Sequence, residues 1–110
     1  MNVDFGETVK ELANFSHVVP AKYRQTATEL AALTLISGRE VEPDEFWLLC
    51  DAVPPAIRAV TFVIVGTLQK LKPKAAREVA AWAHTLLVLR SGRYEVWEQA
   101  AGGKDPKRRR

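Results

Sequence analysis

Apolar residues recur along the chain at three- and four-residue intervals, and prolines cut the stripes into four or five helical segments. In the first, Phe5, Val9, Leu12 and Ser16 share a face with Ala13 beside them, while Glu7, Lys10, Glu11 and Asn14 lie opposite. Asp4 followed by Glu7 has the spacing of a helix cap and its reciprocal acid, which predicts a start there. The end is expected near His17, because Val19 precedes a proline and is pushed out of the helical region. A second helix is predicted from Pro20 to Ser37, burying Tyr23, Ala27, Leu30, Ala31 and Leu33 and closing on Gly38. A short third helix is predicted from Pro43 to Ala52, with Asp44 and Glu45 favoured in its first turn by the helix dipole and Val41 stapled onto Phe46.

The fourth segment, from Pro54 or Pro55 to Leu71, is apolar on every side. Ile57, Val60, Ile64, Leu68 and Leu71 form one stripe, and Phe62, Val63 and Val65 fill the rest. Such a helix is normally buried all round, so it is expected at the centre of the fold. Its β-branched residues (Val60, Thr61, Val63, Ile64, Val65 and Thr67) also suit a buried strand, but no second run of similar quality exists to pair with it. The helix reading is therefore preferred. A fifth helix is predicted from Pro73, with Ala75, Val79, Trp82, Leu86 and Leu89 at seam-like spacing and an end or kink at Gly92. Tyr94 to Ala101 reads as a further helical segment. The expected architecture is all-α: residues 1–103 as a single domain, a compact bundle of four to five helices with a buried central helix, and residues 104–110 as a disordered basic tail.

A pattern recurs at helix starts. Pro-x-x-x-Arg occurs at Pro20/Arg24, Pro54/Arg58 and Pro73/Arg77, the last two extending to Pro-x-Ala-x-Arg-x-Val. The first interval, 34 residues, matches a helix-pair repeat, yet little else aligns between the segments. Helices commonly begin with proline and carry surface arginine, so the pattern is read as local rather than as a duplication.

Composition changes this picture little. With 110 residues, 47% hydrophobic and 26% charged, the chain has an ordinary globular balance. Charge changes it more. The net charge is +3, but residues 1–51 hold nine acids and four bases, whereas residues 52–110 hold twelve bases and four acids. Residues 104–110 alone carry five bases and one acid. This asymmetry suits a nucleic-acid or acidic partner for the second half, or head-to-tail self-association. Asp4 and Glu7 stand where a signal peptide would be basic, and the apolar run from Ala59 to Leu68 is too short to span a membrane. A lone cysteine fits a reducing compartment, so a cytoplasmic protein without membrane attachment is expected.

Candidate chemistry is sparse. Cys50 sits among large apolar side chains in Phe46-Trp47-Leu48-Leu49-Cys50, where a buried structural thiol is the ordinary reading. The two histidines, His17 and His84, are far apart and have no ligand at helical spacing, so no metal and no cofactor are expected. The acids Glu40, Glu42, Asp44 and Glu45 read as a solvated helix start. The glycines match no phosphate-binding loop. The chain is therefore expected not to be an enzyme.

Two binding readings remain. In the leading one this is an interaction or regulatory protein, dimeric and bound to a protein partner through Phe62, Val65, Tyr94 and Trp97. In the rival it is a small nucleic-acid-binding regulator using Lys70, Lys72, Lys74, Arg77, Lys107, Arg108, Arg109 and Arg110. A helix-turn-helix across Glu29 to Val53 fits poorly, because that stretch is net acidic.

Overall fold

The computed structural model describes residues 4–92. Among them the chain forms five α-helices and no strand: α1 Phe5–Ala13, α2 Ala21–Ser37, α3 Leu49–Ala52, α4 Arg58–Gln69 and α5 Pro73–Arg90. Short 3-10 segments at Ser16–Val18, Pro43–Leu48 and Pro55–Ile57 join them. The all-α expectation holds. The segment Tyr94 to Ala101 and the basic tail lie outside the described residues.

The start of α1 is as the sequence implies: an Asp4 carboxylate oxygen accepts the Glu7 N–H at 3.0 Å. The helix closes earlier than His17. Asn14 and Phe15 donate their N–H groups to Glu11 and Leu12, so the last turn tightens to three-residue spacing. Val19 is extended ahead of Pro20. α2 begins at Ala21, one residue later than expected, with Pro20 at its N-cap. At its other end α2 stops on Gly38 in the left-handed region (φ 70°), where a Cβ would be strained.

The predicted helix from Pro43 to Ala52 is instead a 3-10 segment followed by a single α-turn. Phe46, Leu49 and Cys50 are the buried residues here, and the first two are three apart, which is the 3-10 repeat. Val53 is extended before Pro54 and stops α3 after four residues.

The centre of the bundle is α2, not the fourth helix. Ala27, Thr28, Leu30, Ala31, Ala32 and Leu33 are all buried, and α2 packs against α1, α3, α4 and α5. Three alanines let neighbouring backbones approach closely on several sides, at a separation of about 8–10 Å for packed helices. The one polar side chain in that group is satisfied locally, since Thr28 donates its hydroxyl to the Arg24 carbonyl at 2.6 Å. By contrast α4 buries only Thr61, Ile64, Val65 and Leu68. The expected stripe rotates accordingly, with Thr61 inside and Val60 outside. After the Lys70–Lys72 turn, α5 packs on α2, on α1 and on the Pro43–Leu48 segment rather than back over α4. Among the described residues no second layer covers the outer side of α4.

Along α5 the buried residues are Ala76, Val79, Ala83, Leu86 and Leu89. Ala75 and Trp82, placed on the seam by spacing, sit half-buried at its edge. Two polar ties join this helix to α2 and α1: Tyr23 donates its hydroxyl to Glu78 at 2.7 Å, and Arg90 Nε donates to Glu11 at 3.1 Å.

The recurrent proline–arginine pattern has a local cause. Arg24 reaches back to the carbonyl of Val19, the residue before the proline, with Nε at 3.2 Å and a terminal nitrogen at 2.9 Å. Arg58 does the same to Val53 at 3.5 Å. Each arginine thus satisfies a carbonyl that the extended residue before a proline leaves outside the helix. At the third site Pro73 is already helical, and the Lys72 carbonyl is taken by the Ala76 N–H.

Candidate functional site

Apolarity in excess of burial singles out α4. From Ala59 to Gln69 it carries no ionisable side chain, and only one side of it faces the core. On the outer side Val60 is 42% exposed, Phe62 59% and Val63 70%. Ala59 and Thr67 are exposed with them, and Gly66 is half-exposed in their midst. At 100° per residue, Ala59 and Gly66 lie near the middle of this face, with Phe62 along one edge and Val63 along the other.

Each edge meets a different neighbour. On the Val63 side, Val60, Val63, Ile64 and Thr67 face Gln25, Thr26 and Glu29 of α2 across a groove of about 290 Å³. Along the opposite edge, Gln69, two turns beyond Phe62, lines a second groove with Pro43 and Asp44. Phe62 therefore lies on the side of the 43–52 segment. That segment carries Trp47, 53% exposed and the fourth large apolar residue open to solvent among the described residues.

Gly66 has no steric reason to be glycine within this fold. A Cβ built there meets nothing within 4 Å, and its backbone is helical. A glycine at such a position costs a helix about 1 kcal/mol relative to alanine.

Of the residues that the sequence put forward for a protein partner, Phe62 is on this face. Val65 is not: it is 4% exposed and belongs to the core, because it falls on the same side of the helix as Thr61 and Leu68. Tyr94 and Trp97 lie outside the described residues. Val60, Val63 and Gly66 were missed, since a helix read as buried all round offers no outer side to choose from. Trp47 was recognisable only as an aromatic without a helical stripe to join.

The basic candidates divide. Lys70, Lys72 and Lys74 are exposed around the α4–α5 turn, with no carboxylate in ion-pair range among the described residues. Arg77 is also exposed, but it lines a groove of about 360 Å³ together with Glu42 and Asp44. The acids and bases separated by the sequence halves are thus neighbours in space. Lys107, Arg108, Arg109 and Arg110 lie outside the described residues.

Groups suited to catalysis are scattered. The Cys50 thiol is buried, and burial followed by the nearby Asp51 carboxylate pushes its pKa up, disfavouring the thiolate a nucleophile needs. His84 Nδ1 lies 3.0 Å from a Glu40 oxygen, an exposed pair joining α5 to the loop after α2. No cluster of three metal-binding side chains occurs among the described residues, and none of their helices is long and apolar enough to cross a membrane. No protein-family model matches the chain, and comparison with curated proteins and with solved structures finds no match.

Proposed function

We propose that this chain is a non-enzymatic interaction protein whose α4 face receives a protein partner. The observation that carries the reading is the exposure of Val60, Phe62 and Val63 on an uncharged helix surface. Contiguous apolar surface of this kind marks binding sites on small soluble folds. Covering Phe62 or Val63 fully is worth about 1.5–3 kcal/mol each, a favourable contribution to set against the cost of association. Aromatic anchors are also the residues that dominate interface energetics, and Phe62 and Trp47 supply two. Burial of Cys50, the lone cysteine, supports the non-enzymatic part of the reading.

A photo-crosslinking amino acid in place of Val63, in the full chain and in the cells that express it, tests the reading. Protein adducts are expected from position 63, are lost on Phe62→Glu, and do not form from a control at Lys74. Adducts from position 74 alone would overturn the proposal.

That outcome would favour the second reading, nucleic-acid binding, which rests on the exposed Lys70, Lys72 and Lys74. It requires an affinity that falls steeply as salt rises. The carboxylates of Glu42 and Asp44 beside Arg77 count against it, because they would face phosphates.

A further inference from the structure

We infer that the occupant of the α4 face is a second copy of this chain, lying antiparallel so that α4 packs on α4 across a two-fold axis; this rests on the docking reading above. Three features of the face point there. The first is its internal symmetry. Ala59, Phe62, Val63 and Gly66 are spaced evenly about the midpoint between Phe62 and Val63. In an antiparallel pair centred on that midpoint, Ala59 meets the partner's Gly66, Phe62 meets the partner's Phe62 along one edge, and Val63 meets the partner's Val63 along the other. A two-fold interface demands this self-match: one patch must serve as both surfaces.

Charge selects the direction. Arg58 and Lys70 bracket the uncharged stretch. Parallel pairing would set each cation against its own counterpart. The antiparallel register instead sets Arg58 against the partner's Thr67 and Lys70 against the partner's Pro55.

Gly66 supplies the third feature. Nothing in the described fold fills the space beside it, so the glycine weakens the isolated helix without return. With Ala59 it leaves a shallow hollow between the Phe62 and Val63 ridges, which admits a second helix at the short end of ordinary interaxial distances. The exposed apolar side chains Val60, Phe62 and Val63 present on the order of 300 Å² per copy, against about 800 Å² per partner in a standard interface. Thr67, the α2 flank at Gln25 and Glu29, and the stems of Arg58 and Lys70 supply the remainder, which places the dimer at the small end of stable assemblies.

Light scattering of the full chain across a concentration series is the test, with Gly66→Leu as the decisive variant. Wild type is expected to approach twice the 12.3 kDa chain mass at high concentration. Gly66→Leu, whose Cβ meets no atom of the described residues within 4 Å, should weaken the dimer at least tenfold while circular dichroism shows it folded. In a Cys50→Ser background, Val63→Cys should oxidise to a covalent dimer and Lys74→Cys should not. A chain monomeric at every concentration overturns the inference, and so does a dimer indifferent to Gly66→Leu and uncrosslinked by Val63→Cys. A monomer that still gives Phe62-dependent adducts from position 63 with another protein defeats the second copy and leaves the docking reading standing. Absence of any adduct from position 63 defeats both.

Discussion

The two helices α2 and α4 exchange the roles that their compositions suggest. Within α2 are Lys22, Arg24 and Glu29, yet it is the element buried between all the others. Between its ends α4 has no charge at all, yet half its circumference is in water. Side-chain size accounts for the first fact. Ala27, Ala31 and Ala32 keep α2 slim enough for neighbours to close in from several directions, while its charged residues occupy the first turn and one edge. Chain path accounts for the second. The turn after α4 carries α5 away to α2 and α1, and nothing that follows in the described residues returns to cover Phe62 and Val63. Burial is decided by which surfaces meet, and hydrophobicity of a helix does not by itself decide how much of it is covered.

Truncating each helix separates the two roles most sharply. Leu33→Ala in α2 removes a fully buried side chain and should cost about 2–5 kcal/mol in chemical denaturation. Phe62→Ala in α4 removes a larger side chain, yet should change the stability of the monomer by no more than about 0.5 kcal/mol. Equal losses would show that α4 is covered within its own chain.

Next in size is Gly66→Ala, expected to stabilise the monomer by about 0.5–1 kcal/mol through helix propensity alone. A loss of stability measured on dilute protein would show that the glycine answers a contact inside the fold. A difference of similar size separates the two helix starts. Arg24→Ala breaks two hydrogen bonds to the Val19 carbonyl and should cost about 1 kcal/mol, whereas Arg58→Ala, with one long bond to Val53, should cost a few tenths. A melting comparison of the pair reads the difference directly.

Local signals were legible from the sequence to the extent that their causes are local. The Asp4 cap, the left-handed Gly38 and the proline-led start of α5 depend on a few neighbouring atoms, and all three stand where spacing places them. The Pro43 to Ala52 stretch misled because its ends are fixed by proline while its interior follows a three-residue repeat, and apolar spacing over ten residues cannot separate that from an α-helix. The outer face of α4 was illegible for a different reason. Periodicity reports how apolar a position is, and position 60 and position 64 are both apolar; only the arrangement of the other helices distinguishes Val60 in water from Ile64 in the core. Of the two residues put forward for a partner within the described residues, Phe62 is therefore exposed and Val65 buried.

The ties that fasten α5 carry a consequence for synthesis. Tyr23 meets Glu78, and Glu11 meets Arg90, so the last of the described helices to be made closes on the two made first. While a nascent chain lacks α5, the broad flank of α2 that it covers stays wet, and the alanine-rich centre has no lid. The early helices emerge from the ribosome long before their cover does, and the loop that must close spans most of the fold. Cooperative folding then waits for translation to pass α5, and a stall upstream of Pro73 leaves a sticky half-bundle for chaperones or proteases to find.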